Sequence, residues 1–253
     1  MPRTIAEEIR RIPPVTRFLC ASYCVTSLAV LLGVVSPWRI VFSRKAAQAL
    51  EVWRPFTTFF YGPGGLPLIF ELFMLYHHSL SLETNQYDRR SSDYSWQLLF
   101  VCASILIINL PLNPHIHEHA LVHALVYLDC TFAPSSAQTS LFGLVTFRTN
   151  YYPYVLLALD ILVGGRAYAA LGASGMVVGH LWWWLVWGCS GAGGVERGVL
   201  AGAAAHAPGR VREWFGDKAR PRVSKVGRGV TVFAPGGEGD SYRWGRGKRL
   251  GEQ

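Results

Sequence analysis

A chain of 253 residues that is 51% hydrophobic and 16% charged, with nine tryptophans, carries more apolar side chain than a soluble domain of this length. Its mean hydropathy is positive. The formal charge of +8 would suggest nucleic acid in a soluble protein, but here the charges gather at the chain ends and between apolar blocks, as in a polytopic membrane protein.

The first seventeen residues, "MPRTIAEEIRRIPPVTR", are charged and broken by proline, unlike a secretory leader, so the apolar stretch behind them is expected to stay as an anchor. A membrane span needs about 20 apolar residues. Six segments are candidates: 18–35, 64–82, 96–112, 119–132, 151–163 and 167–187. The fourth is short and carries His123 and Asp129; the fifth contains Asp160; the sixth is rich in small residues and ends in "HLWWWLVWG". Five cysteines, all in or beside apolar segments, are expected as buried thiols rather than a disulfide framework.

Four arginines precede the first segment and twelve Lys/Arg follow the sixth, so an even number of spans with both termini cytosolic is expected. The loop over 36–63 would then lie on the far side although it holds Arg39, Arg44, Lys45 and Arg54, an exception that predicts a structured loop. Its "VWRPFTTFFYG" reads as an amphipathic element lying in the interface. Beyond Gly188, glycine, proline and charge dominate without a sustained period, which predicts a flexible tail: a linker over 191–240 and a distinct end, 241–253.

Several residues could carry chemistry. "GASG" nominates Ser174 as a serine nucleophile. Such a nucleophile needs an imidazole base in reach, and His180 lies six residues on, about 240° around the same helix. "HEHALVH" places His119 and His123 one turn apart, a spacing that can ligate zinc or iron, with His115 and His117 nearby. A di-iron centre would also need His77 and His78, which belong near the opposite membrane face, about 30 Å away. The expectation is therefore interfacial histidines without a metal, a lone zinc site being the alternative. Gly175 and Gly179 form a GxxxG that clears a strip for a neighbouring helix. Trp53 and Arg54 pair an aromatic with a cation at the bilayer surface, often only an anchor.

Taken in order, "IPPVTR", "WRPFTTFFYG", "LETNQYDRRSSDY", "NYYPYVLLAL" and "GMVVGHLWWWL" resemble the derlins, from about residue 12 to 187. The resemblance implies a six-span, rhomboid-like bundle over 1–190 in the endoplasmic-reticulum membrane, a pseudoprotease without catalysis or cofactor. It implies a part in retrotranslocation of misfolded proteins during endoplasmic-reticulum-associated degradation and the unfolded protein response, beside a ubiquitin-ligase complex, with lipids and clients but no nucleic acid as partners. Trp53 and Arg54 then correspond to the family's WR motif, facing client or lipid, and Gly175 and Gly179 to its GxxxG-type element. Active rhomboids place a histidine three residues before that first glycine, where this chain has Gly172. "WGRGKRLG" is similar to the SHP box that ends many derlins and docks on the valosin-containing AAA ATPase. By that likeness Trp244, Gly245, Gly247, Arg249 and Leu250 would bind the ATPase: Trp244 and Leu250 fill pockets while the glycines let backbone add to a strand edge. The alternative is an active intramembrane serine protease using Ser174.

Overall fold

A computed structural model describes residues 7, 9, 11–42, 51, 53–62, 64–88, 90–112, 114–134, 136–141, 145–188, 198–199 and 206–216. The fold is predominantly helical. Six principal helices stand at the six expected segments: α1 (Pro14–Leu31), α3 (Leu66–Ser81), α4 (Ser91–Asn109), α5 (Glu118–Phe132), α6 (Tyr152–Val163) and α7 (Gly165–Trp187). A one-turn helix, α2 (Arg54–Thr57), lies in the long first loop, and α8 (Gly209–Phe215) follows the bundle. Of these, α1, α4 and α7 are long and apolar enough to cross a membrane. Helices α3, α5 and α6 have 16, 15 and 12 residues, about 24, 22 and 18 Å at 1.5 Å per residue.

Helix α5 is the axis of the bundle. Ala120, Ala124 and Val126 are fully buried, and Leu121 and Leu125 almost so, which is how a short helix looks when neighbours cover every side. It packs on α3, α4, α6 and α7. The outer helices instead expose Phe18, Leu28 and Leu31 of α1, Leu99 and Ile107 of α4, and Leu162 and Val163 of α6. An apolar outer surface of this kind suits lipid, not water.

The helix starts follow from local sequence. Pro14 sits at the first position of α1 and Pro67 at the second of α3, both in the first turn, where a missing N–H costs nothing. No local side chain caps α1, because its N-cap residue is itself a proline. The cap comes instead from Glu83, in the π-helical turn Leu82–Gln86 that extends α3. Its carboxylate accepts from the backbone N–H of Val15 (3.1 Å) and Thr16 (2.8 Å) and from the Thr16 hydroxyl (2.8 Å). The Thr16 hydroxyl also meets Ser79, which meets Tyr94 of α4, so one buried chain of polar contacts joins three helices.

The structure departs from the sequence expectations in three places. Helices α1 and α4 begin four or five residues earlier than expected, because Ser91, Asp93 and Val15 enter the helix although they are polar or follow prolines. A β-hairpin, β1 (Gln138–Leu141) paired with β2 (Val145–Arg148), joins α5 to α6, so the fold is not purely helical. Part of the glycine-rich segment expected as a flexible linker forms α8, which packs against α4. Asp93 of α4 accepts from the Ala207 N–H at 2.8 Å and faces Arg212 at 3.4 Å and Arg90 at 2.8 Å.

Candidate functional site

The described parts of the first loop are held together by hydrogen bonds, and they divide the Trp53–Arg54 pair. Arg54 turns inward: Nη1 donates to the Trp38 carbonyl at 2.8 Å and to the Val41 carbonyl at 3.4 Å, while Nε pairs with Glu51. Thr57 ties the same turn through the Ile40 carbonyl at 3.0 Å. The guanidinium, with two forks of donors, thus holds a loop together and is not a free surface anchor. Trp53 faces outward and is 58% exposed. Trp53→Ala is therefore expected to leave the folded yield unchanged and Arg54→Ala to lower it several-fold, with Arg54→Lys in between, measured as folded protein after detergent extraction.

The loop is fastened to α5 one turn on. The Thr58 hydroxyl donates to the His115 carbonyl and meets His117 Nδ1, both at 3.1 Å, and the His117 N–H donates to the Thr58 carbonyl at 3.1 Å. Phe42 and Phe59 enclose the His117 ring, with centroids 5.3 and 5.8 Å away. Burial pushes this imidazole down to about 4, so it packs as a neutral ring.

Gly175 and Gly179 lie in the interface between α7 and α5. A Cβ on Gly175 would stand 2.0 Å from the Ala120 carbonyl oxygen, and one on Gly179 would stand 3.0 Å from that of Ala124. Gly172 continues the stripe one turn earlier, but there a Cβ would meet side chains, Asp160 Oδ2 at 2.7 Å and His123 Nε2 at 3.1 Å. Ser174 is on the same helix, and its hydroxyl donates to the Leu171 carbonyl at 2.7 Å. His180 is engaged elsewhere, its Nδ1 2.7 Å from the Tyr127 hydroxyl. The structure does not bring these two sequence-nominated residues together.

What it does bring together is a buried polar cluster at the centre of the bundle. Glu71 of α3, His119 and His123 of α5, and Asp160 of α6 are all at most 8% exposed. His119 Nδ1 meets Glu71 Oε1 at 3.1 Å and its Nε2 meets Asp160 Oδ2 at 3.1 Å; His123 Nε2 lies 2.9 Å from the same Asp160 oxygen. Tyr168 of α7 stacks on His119 at 3.8 Å between centroids and donates its hydroxyl to Glu71, and the Tyr23 hydroxyl of α1 reaches Glu71 Oε2 at 3.4 Å. A cleft of about 420 Å³, lined by Glu71, Glu118, His119 and Tyr168, adjoins the cluster.

A second pair lies further along α3 and α5. His78 Nδ1 meets Asp129 Oδ2 at 2.7 Å, and Ser81 donates to Asp129 Oδ1 at 2.6 Å, beside a cleft of about 620 Å³. Expected at the membrane interfaces, His78, His117, His119 and His123 do not lie on the surface of the bundle: all four are buried. Nor does a full membrane thickness divide the two groups, since seven residues of α3 and ten of α5 separate them, about 10 to 15 Å of helical rise. The i, i+4 pair His119 and His123 was visible in sequence. Glu71 was not singled out; a lone acid in an otherwise apolar segment was the signal that could have found it.

Trp244, Gly245, Gly247, Arg249 and Leu250 lie outside the described residues.

A helical bundle with a lipid-suited outer face, helices of membrane-crossing length and a buried polar centre defines a membrane protein with a hydrophilic core. The chain belongs to the derlins: residues 12–196 match the Der1-like family. It is 30% identical to Derlin-1 of Homo sapiens over 261 residues, covering 98% of this chain and 99% of that protein. Derlin-2 of Oryza sativa subsp. japonica is 31% identical over 199 residues, 73% of this chain and 78% of the relative, and Derlin-1.2 of Zea mays is 28% identical over 183 residues, 71% and 74%.

Proposed function

We propose that this chain is a non-catalytic, six-span, rhomboid-like component of endoplasmic-reticulum-associated degradation, with both termini cytosolic, that aids the exit of misfolded proteins from the membrane. Membership of the Der1-like family carries this reading, and the engagement of Ser174 supports its non-catalytic part. A serine nucleophile needs its base within hydrogen-bond reach. Here the Ser174 hydroxyl is spent on its own helix and His180 on Tyr127. The helical bundle over 1–190 would hold the client, with Trp53 on the exposed side of the first loop as its contact, and the linker over 191–240 would carry the docking segment 241–253.

That segment, through Trp244, Gly245, Gly247, Arg249 and Leu250, recruits the valosin-containing AAA ATPase, which supplies the force, and an endoplasmic-reticulum ubiquitin-ligase complex marks the client. The alignment with Derlin-1 of Homo sapiens over 98% of this chain supports a tail shared with that relative. The three short helices α3, α5 and α6 fall below the roughly 30 Å of hydrocarbon, and local thinning around them would lower the barrier to client exit.

Two variants test the proposal in cells that lack the endogenous protein. Ser174→Ala is expected to sustain client turnover at the wild-type rate, whereas a protease using that hydroxyl would lose it. Removal of 241–253 is expected to slow turnover at equal abundance and to abolish co-purification of the ATPase. Turnover that depends on Ser174 overturns the non-catalytic reading; full turnover without the tail overturns the recruitment.

A further inference from the structure

We infer that His119, His123 and Asp160 form a binding site for a single divalent first-row transition-metal ion, buried between α5 and α6. The three donor atoms lie within 4.8 Å of one another, and Asp160 Oδ2 stands 3.1 and 2.9 Å from the two Nε2 atoms. Ligands about 2.0 to 2.1 Å from a tetrahedral zinc ion stand roughly 3.3 Å apart, so the two distances to Asp160 already have nearly that spacing.

Hydrogen bonding on the far side of each ring sets which nitrogen faces inward. Glu71 receives the hydroxyls of Tyr168 and Tyr23, which makes it an acceptor, so His119 Nδ1 carries the hydrogen donated to it. His123 Nδ1 faces the His119 carbonyl at 3.2 Å, also an acceptor. Both imidazoles, as neutral rings, then present the Nε2 lone pair to a carboxylate oxygen. Among the described residues His123 Nε2 is buried without a hydrogen-bond partner, although it lies 2.9 Å from Asp160. Three lone pairs converging away from water repel one another unless a cation joins them, either a proton shared between a ring and Asp160 or a metal ion. A carboxylate oriented on the outer nitrogen of a ligating histidine is the usual support of such an ion, and Glu71 occupies that place behind His119.

Two further features fit. Gly172 leaves open the space beside Asp160 Oδ2 and His123 Nε2 that any side chain would enter. His119 also lines the 420 Å³ cleft, which offers a route for the ion and a source of water as fourth ligand. Two imidazoles and one carboxylate form a donor set that takes Zn²⁺, Co²⁺ or Fe²⁺ rather than Mg²⁺ or Ca²⁺.

The test uses the full chain, purified in detergent without a polyhistidine tag and stripped with chelator. Titration with Zn²⁺ is expected to leave one equivalent bound after desalting and to raise the thermal midpoint; Co²⁺ should give the visible absorption of a tetrahedral site. His123→Gln and Asp160→Asn should weaken Zn²⁺ binding by about 100-fold or more, and Glu71→Gln by about 10- to 100-fold. His180→Gln, at a histidine outside the cluster, should bind as wild type. Failure of the wild-type chain to retain Zn²⁺ or to develop the Co²⁺ spectrum overturns the site, whatever the variants do. So does equal binding by wild type and His123→Gln, which would put the ion on other histidines.

Discussion

Replacing Gly175 with alanine is expected to destabilise the bundle by about 3 kcal/mol, among the larger costs a single methyl group can impose. The added carbon would sit 2.0 Å from the Ala120 carbonyl oxygen, a backbone atom of α5 that cannot swing aside as a side-chain tip can. The two helices must separate, and among the described elements α7 and α5 make the most extensive contact. Gly179→Ala serves as the internal control. Its carbon would meet the Ala124 carbonyl oxygen at 3.0 Å, close enough to be felt but relieved by a few tenths of an ångström, so about 1 kcal/mol is expected. Thermal unfolding in one detergent, followed by helical circular dichroism, should rank the three proteins as wild type, Gly179→Ala, Gly175→Ala. A reversed order would mean that the close approach of α7 to α5 does not carry the stability assigned to it.

The second large effect is expected at Glu83. This carboxylate does for α1 what an N-cap side chain normally does for its own helix, but from a distance of 67 and 68 residues along the chain. Glu83→Ala strands two buried backbone N–H groups, while the Thr16 hydroxyl keeps Ser79, and an unmet buried donor costs about 1 to 3 kcal/mol. Loss of the negative charge at a helix N-terminus adds to that. About 4 kcal/mol is the expected total, and about half for Glu83→Gln, whose amide oxygen can still accept from one donor. Because the lost contacts fix the start of α1, the variant should also become sensitive to proteolysis near Arg17 before the rest of the bundle opens. Digestion that starts elsewhere, with unaltered thermal stability, would show that α1 is held by packing alone.

How much of this was legible beforehand depends on the kind of signal. The six principal helices were, because each is an apolar run bounded by proline, glycine or charge, and length and hydropathy are local properties. The glycine stripe was legible in part: the spacing of Gly175 and Gly179 announces a close neighbour but does not say which helix approaches. The polar centre was not. His119 and His123 show their shared face through a four-residue interval, yet Glu71 and Asp160 lie 48 and 41 residues from His119, and no local pattern joins such distances. Acidic residues within apolar segments look like isolated liabilities until the packing shows each facing a partner. Trp53 and Arg54 mark the opposite limit. Neighbours in sequence suggest one role, but successive side chains point apart, and here one meets the exterior while the other binds carbonyls beneath it.

The close quarters at Gly172 limit what that position can carry. A β-carbon there would run into the Asp160 and His123 side chains, which arrive from two other helices. Any larger residue at 172, histidine included, would have to displace both before it could be seated. Glycine here is thus a condition of the polar centre: α7 brings no side chain to this level because two neighbouring helices bring theirs.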